Sequence, residues 1–441
     1  MKEYLIISLV LLQGICVAQG NKVYVQKNLG NEYTLVVNDK PFFIKGGGGS
    51  SDWETLAQCG GNSVRTWGLE NAREMLDKAH SLGLKVMMGM WMQHERHGFD
   101  YDDKIKVKDQ LEFFKSQVIA LKDHPALLIW GVGNEVDLFY SNTNVWYAVE
   151  DIAKMIHEID PNHPTCTVTA GLDSSEVRLI KERAPSIDIY GINTYGDISS
   201  VREHLTEYGW DGPYMITEWG PNGHWEVSKT KWRAPIEQTS SEKAVSYGMR
   251  YQQEIQSAPK NCLGSYAFLW GHKQETTSTW YGLFSKHNEK TEAVDTLRSL
   301  WNNHSSFNHS PRVSQLLCNG QTSNKSLILE SGSNAVFTIT VSDPENDPLK
   351  YSWQLVPEST DIKAGGDVES EPAPIDGAFL RKNLRSATLR VPDEEGAYRV
   401  FFEVRDGNKS LGYANYPFYV VPASVTKNKQ REHFVKQTLN D

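Results

Sequence analysis

From residue 42 to residue 270, short apolar runs alternate with amphipathic segments of helical period, and this alternation narrows the choice of fold more than anything else in the chain. The runs at 42–45, 62–67, 84–91, 126–130, 164–169, 187–192, 214–217 and 263–269 read as strands. Helical patterns occupy 53–58, 71–82, 108–122 and 146–159, and Gly83 supplies a C-terminal stop for the second. Strands that are apolar along their whole length need cover on both faces, which implies a parallel sheet flanked by helices. Eight such units predict an α/β chain closed into a (β/α)8 TIM barrel, with its chemistry at the C-terminal ends of the strands. The run at 42–45 enters Gly46 to Gly49, read as a strand that ends in a flexible turn.

Two carboxylates stand at those ends. Glu135 closes Trp130-Gly131-Val132-Gly133-Asn134-Glu135 after strand four, and Glu218 lies in Ile216-Thr217-Glu218-Trp219-Gly220 on strand seven. Cleavage of a bond between sugars needs two carboxyl groups facing one cleft, one to protonate the leaving oxygen and one to attack or to activate water. A single Asn-Glu has little specificity. Two glutamates, each after a buried strand, are unlike surface residues.

The chain has 13 tryptophans, a composition suited to stacking on sugar faces. Trp67, Trp91, Trp219, Trp225, Trp270 and Trp280 follow strand ends or lie in the loops beyond, where stacking on ligand and packing beneath a loop are equally open. Trp130 and Trp353 lie within strands and read as core. His94, His97, His224 and His272 are loop histidines within reach of a cleft.

The formal net charge of −10 argues against nucleic acid or another polyanion as partner. Residues 1–18 read as a secretory signal peptide with cleavage after Ala18; lipid anchoring through Cys16 is the rival, disfavoured by the bulky Ile15. A secreted chain, periplasmic or at the cell surface, is therefore expected. No later stretch is apolar for long enough to make an integral membrane span, and a monomer is expected. Cys59, Cys166, Cys262 and Cys318 have no paired metal spacing, and Cys166 and Cys262 read as buried free thiols.

At 441 residues the chain exceeds one ordinary core. The barrel is expected over 19–305, a linker over 306–323, an immunoglobulin-like β-sandwich over 324–424, and a polar tail over 425–441. The sandwich reading rests on period-two alternation at 335–341, a strand at 349–355 and another at 398–404, with turn residues between them. It is expected to brace the barrel or to hold it away from the cell surface, so that deleting it lowers solubility or stability and leaves activity per folded molecule largely intact. The turn Asp343-Pro344-Glu345-Asn346-Asp347 reads as an acidic loop in preference to a calcium site.

No nucleotide site is present in sequence. Gly46 to Gly49 lacks the Lys-Ser/Thr of a phosphate loop, and Gly131-Val132-Gly133 lacks a third glycine. His94-Glu95-Arg96-His97 has the wrong spacing for a helical zinc pair. No cofactor and no metal are expected.

The segments Gly61-Asn62-Ser63-Val64-Arg65-Thr66-Trp67, Gly133-Asn134-Glu135, Tyr190-Gly191-Ile192-Asn193-Thr194-Tyr195-Gly196 and Ile216-Thr217-Glu218-Trp219-Gly220 resemble the strand-end motifs of the clan of retaining barrel glycoside hydrolases that includes families 2 and 5. With a C-terminal immunoglobulin-like domain, the chain most resembles glycoside hydrolase family 158, and no sandwich domains are expected before the barrel, unlike family 2. That resemblance implies an endo-β-1,3-glucanase of laminarinase type, acting on β-glucan polysaccharide or oligosaccharide. It implies Glu135 as acid/base, Glu218 as nucleophile, Tyr195 as the hydroxyl that orients the nucleophile, Asn134 at the sugar 2-hydroxyl and Trp270 as a platform. A cation such as Arg65 beside Glu218 favours the charged carboxylate. Arg65, Trp67, Trp91, Asn134, Asn193, Tyr195, Trp219, Trp225, Trp270, His272 and Trp280 make up the expected substrate-binding set. Two alternatives stay open: another β-glycosidase on the same barrel, exo-acting or transglycosylating, and a non-catalytic glycan-binding protein, which would usually have lost one glutamate.

Overall fold

The computed structural model describes residues 21–30, 32–258, 260–302 and 307–423. The proposed signal peptide, Cys16 and the polar tail fall outside them. Eight parallel strands close into a barrel: Ile44–Gly48, Ser63–Arg65, Lys85–Met90, Leu127–Val132, Thr165–Ala170, Ile189–Asn193, Tyr214–Trp219 and Cys262–Phe268, each bonded to the next and the eighth to the first. All eight overlap the runs that the sequence marks out.

The glycine run is part of the first strand. A side chain at Gly46 would meet the Tyr266 ring at 2.2 Å, and one at Gly47 would meet Trp270 at 2.9 Å, so the neighbours occupy the space that the glycines leave. The flexible-turn reading is corrected accordingly. Helices form where the sequence caps them. Asp103 accepts from the backbone N–H groups of Ile105 and Lys106, and so Lys104–Leu121 begins earlier than periodicity alone suggests. Thr239 and Glu242 make a reciprocal capping box at Ser240–Arg250.

An antiparallel hairpin, Val23–Lys27 with Tyr33–Val37, precedes the barrel and has no counterpart in the sequence reading. Its Val23, Leu35 and Val37 pack into the lower core with Ile44, Leu128, Ile129 and Met215. Backbone bonds from Val23 to Asn162 and from Tyr33 to Lys260 tie it to the segments entering the fifth and eighth strands. The end opposite the C-terminal ends of the strands is thus covered.

Beyond the barrel lie two sheets with one shared core. One contains Lys350–Pro357, Gly396–Arg405 and Ser410–Val421; the other contains Leu317–Cys318, Asn334–Thr338, Ser386–Arg390 and Phe379–Lys382. The expected linker already takes part in this region, because Arg312–Val313 pairs with Val341–Ser342 and Leu317–Cys318 with Asn334–Thr338. Trp353 is buried in the shared core and Trp130 in the barrel's. Cys59, Cys166, Cys262 and Cys318 are buried and free. Among the described residues no helix is long and apolar enough to cross a membrane.

Candidate active site

A cavity of about 960 Å3 opens over the C-terminal ends of the barrel strands, and both glutamates line it. Glu218 owes its place to an irregularity in the seventh strand. Register against the sixth strand shifts between Ile216 and Glu218, and against the eighth between Ile216 and Trp219. Strict alternation would send Thr217 and Glu218 to opposite faces; a bulge lets both point inward. Thr217 Oγ1 therefore donates to Asn193 at 2.8 Å while Glu218 faces the cavity. The same bulge returns Trp219 to the helix side, where it packs against Tyr247 and Tyr251.

Three donors hold the Glu218 carboxylate. Arg65 Nη1 reaches Oε1 at 2.8 Å, Trp67 Nε1 reaches Oε1 at 3.0 Å, and the Tyr195 hydroxyl donates to Oε2 at 3.0 Å. Arg65 is 2% exposed and Glu218 5%, so this ion pair is shielded from solvent. Arg65 also binds Thr217 O at 2.8 Å and Asn134 Oδ1 at 2.5 Å. Such charge-assisted bonds fix the carboxylate in place.

Glu135 sits in a different setting. It has φ 49°, left-handed backbone that an L residue adopts only when its surroundings fix it, and its N–H bonds Val168 O at 2.9 Å. One neutral side chain, Asn193, donates to its Oε1 at 2.8 Å. Burial pushes the Glu135 carboxyl up to about 7, and the negative charge of Glu218 adds to the effect. Two carboxylates whose surroundings separate them in this way can divide the roles of proton donor and nucleophile. Asn193 contacts both halves of the site, since its Oδ1 accepts from Arg65 at 3.4 Å and its Nδ2 also reaches Asn134 at 3.1 Å.

The loops are cross-tied. Glu226 Oε2 accepts from Gly196 N at 2.8 Å and Gly223 N at 2.6 Å, joining the loops after the sixth and seventh strands beside Tyr195. Asp137 accepts from Ala170 N at 3.0 Å, and burial together with the charge on Glu135 holds its carboxyl well above the usual range. Trp91 begins a stack of rings, with His94 at 4.7 Å and His97 a further 5.5 Å on. Burial pushes His94 down to about 4, which suits a neutral ring accepting from Arg96 Nε at 3.1 Å.

Of the expected set, Trp67, Trp91, Asn134, Asn193, Tyr195 and Trp225 line the cavity and Arg65 lies beneath it. Four residues do not belong there. Trp219 is turned to the helices by the bulge. Trp270 is fully buried, stacked near Trp301 and edge-on to Phe284, with its Nε1 donating to Asp52 O, so it is no platform. Trp280 is 1% exposed and spends its Nε1 on Asn222 O. His272 lines a separate cavity of about 410 Å3 between the barrel and the C-terminal sheets. Sequence reading missed Phe139, Glu226, Phe268, Lys273, Glu275 and the segment 362–366, which all line the same cavity. None of these lies in a strand-end motif except Phe268, whose aromatic character was absorbed into the strand.

Among the described residues, the acidic groups close enough to share a metal are Asp343, Asp347 and Asp406, with ligand atoms within 4.8 Å of one another. None of them lines the cavity. Asp343 Oδ1 accepts from the N–H groups of Glu345 and Asp347, as an acidic turn does.

With this geometry in view, the likenesses to known proteins are informative. The family described as "Glycosyl hydrolases family 2, TIM barrel domain" matches residues 50–224, a stretch that holds both glutamates. The β-glucuronidase of Felis catus is 22% identical over 185 residues, covering 37% of this chain and 26% of its own length. That of Chlorocebus aethiops is 21% identical over 203 residues, covering 40% and 29%. The chain thus spans between a quarter and a third of these curated relatives. Bacteroides uniformis β-glucuronidase 2, solved covalently bound to cyclophellitol-6-carboxylate aziridine, superposes with a TM-score of 0.50 at 12% identity over 91% of this chain and 48% of that one. Ruminococcus gnavus β-glucuronidase, in complex with C6-substituted uronic isofagomine, gives 0.50 at 16% identity over 64% and 53%. At such identities the solved structures show the fold alone. The expected endo-β-1,3-glucanase is overturned by these findings, because the matching family is family 2 and the relatives are β-glucuronidases. The barrel's likeness falls on family 2 and not on family 158.

Proposed function

We propose that this protein is a retaining, exo-acting β-glycosidase, with β-glucuronides as the leading substrate class. One observation carries the mechanism: Glu218 is held by Arg65, Trp67 and Tyr195, while Glu135 across the cavity is raised to about 7. In the first step Glu218 attacks the anomeric carbon, the bond to the leaving oxygen breaks, and the Glu135 proton passes to that oxygen. In the second, Glu135 as carboxylate takes a proton from water, the water oxygen bonds to the anomeric carbon, and the bond to Glu218 breaks. Two displacements return the β configuration. Asn134 and Asn193 are the polar groups placed for the sugar hydroxyls, and Trp67, Trp91 and Trp225 supply flat apolar faces.

The names of the relatives support the glucuronide reading, as do two cations in the cavity wall, Lys273 and Lys363, suited to a uronate carboxylate. A neutral β-hexoside is the second reading. It is favoured by the ion pairs that already occupy both cations, Lys273 with Glu275 at 2.8 Å and Lys363 with Asp361 at 3.6 Å. A secreted location belongs to the same proposal.

Aryl β-glucuronide, β-glucoside and β-galactoside, followed by proton NMR of the first-formed sugar, test this reading. Turnover of one of them with β product first is the expected result. An α product first would overturn the double displacement, and no turnover of any β-glycoside would overturn the whole reading.

A further inference from the structure

The part of the cavity wall that is furthest from the barrel in sequence comes from the C-terminal sheets. Between Lys350–Pro357 and Phe379–Lys382 the chain leaves the sheets and crosses to the mouth of the barrel, where Ile362, Lys363, Ala364, Gly365 and Gly366 line the cavity. It is anchored at both ends. On the side of the eighth strand, Glu369, 5% exposed, accepts from the N–H of Thr276 at 2.6 Å and from that of Lys363 at 3.0 Å. On the side of the third strand, Arg96 donates to Asp367 Oδ2 at 2.8 Å and to the carbonyls of Ala364 and Gly365, each at 3.2 Å.

The segment is seated closely. A side chain at Gly365, where φ is 62°, would lie 2.5 Å from Leu138 after the fourth strand, and one at Gly366 would lie 2.8 Å from Lys273 Nζ after the eighth. It therefore bridges the loops of the eighth, third and fourth strands, crossing the first and second in the closed order of the barrel. A polysaccharide threading the cleft in that direction meets this wall. The Arg96 side chain is only 9% exposed, which strengthens its bonds to the segment, and its contact with His94 joins the wall to the ring stack that ends at Trp91.

We propose that residues 362–366 form the specificity-determining wall of the glycone subsite, restricting it to a terminal sugar, and that Arg96 is the positioning residue that holds this wall in place. The inference rests on the exo-β-glycosidase reading for its substrate, but binding tests it apart from turnover. Calorimetry with methyl β-glucuronide and methyl β-glucoside, in full-length protein carrying Glu135→Gln, compares Arg96 with Arg96→Ala and Arg96→Lys. Loss of a charge-assisted bond and two carbonyl bonds should weaken binding of the better ligand by on the order of tenfold in Arg96→Ala. Arg96→Lys, which keeps the charge for Asp367 but not the fork, should fall between the two.

In proteins retaining Glu135, the same change should raise KM for an aryl β-monoside with little effect on kcat. It should also allow an aryl β-disaccharide to release its aryl group in one step. Thermal melts of the three proteins separate a displaced wall from a damaged fold, and replacing 362–366 by five serines should reproduce the disaccharide gain without touching Arg96. Unchanged affinity in Arg96→Ala, no binding of either sugar, or a fall in kcat at constant KM would overturn the wall. An α-configured first product would instead overturn the mechanism and leave the binding result standing.

Discussion

Glu135 and Glu218 differ in what surrounds them, and their opposite environments lead to separable outcomes. On the proposed assignment Glu218→Ala removes the nucleophile and should lower kcat by roughly 10^4-fold or more for every substrate. Glu135→Ala should spare the first step for an activated aryl leaving group, and azide should then rescue turnover with a β-azide product, whereas any azide adduct from Glu218→Ala should be α. Exchanged outcomes would swap the roles. The acid form of Glu135 is populated below about pH 7 and lost above it, so kcat/KM should fall as pH rises through about 7. The same raised value means that folding penalises the charged carboxylate, so Glu135→Gln should gain thermal stability near pH 8 and gain nothing near pH 4, where the acid is protonated folded and unfolded. An equal gain at both values would contradict the buried-acid account. Arg65, Asn134, Asn193 and Tyr195 could be singled out because they lie in segments that resemble a clan's strand-end motifs, and strand ends in a barrel converge on its mouth. Trp219 was not, since the neighbour of an inward residue points outward and the bulge that brings Thr217 and Glu218 to one side leaves no trace in residue type.

Elements and their connections decide how firmly those groups are held. The strands were readable from their apolar runs, and the loops between them were not, because a loop's partners lie in other loops. Glu226 is the clearest case: it accepts from Gly196 and Gly223 and so locks the loops on either side of Tyr195 and Trp225. Glu226→Ala should lower kcat more than it raises KM, by on the order of tenfold, as Tyr195 loses its fixed approach to Glu218. A change confined to KM would place Glu226 at the substrate instead. The hairpin before the barrel escaped the sequence reading for a related reason. Its strands are short and mixed in polarity, and only their contact with the lower core explains why Val23, Leu35 and Val37 are apolar.

At the scale of the molecule, the barrel and the C-terminal sheets form one structure. Lys243, on the helix after the seventh strand, is buried against Glu237 at 2.5 Å and reaches the Tyr413 hydroxyl of the C-terminal sheet at 3.2 Å. Asn415 of the same sheet donates to Glu237 at 2.6 Å, and Arg399 donates to Pro235 O at 2.9 Å. The sequence could announce a second β-rich region through its period-two runs, but pairs separated by 170 or 271 residues leave no local pattern to read. That is why the region looked like a brace. Its contacts with the barrel and its segment over the cavity oppose the expectation that deleting it spares activity per folded molecule. Removing 307–441 uncovers Glu237 and Lys243 and takes away the wall of 362–366, so the remaining barrel should melt earlier and bind methyl β-glycosides more weakly even where it stays folded. The interface itself can be tested without truncation. Lys243→Ala leaves Glu237 buried without its counter-charge and should cost about 3–5 kcal/mol in unfolding free energy. Lys243→Met with Glu237→Leu, which empties the site of charge altogether, should recover much of that loss, since two apolar side chains need no partner where an isolated carboxylate does. If the single substitution proves nearly neutral by denaturant titration, the pair does not hold the two parts together.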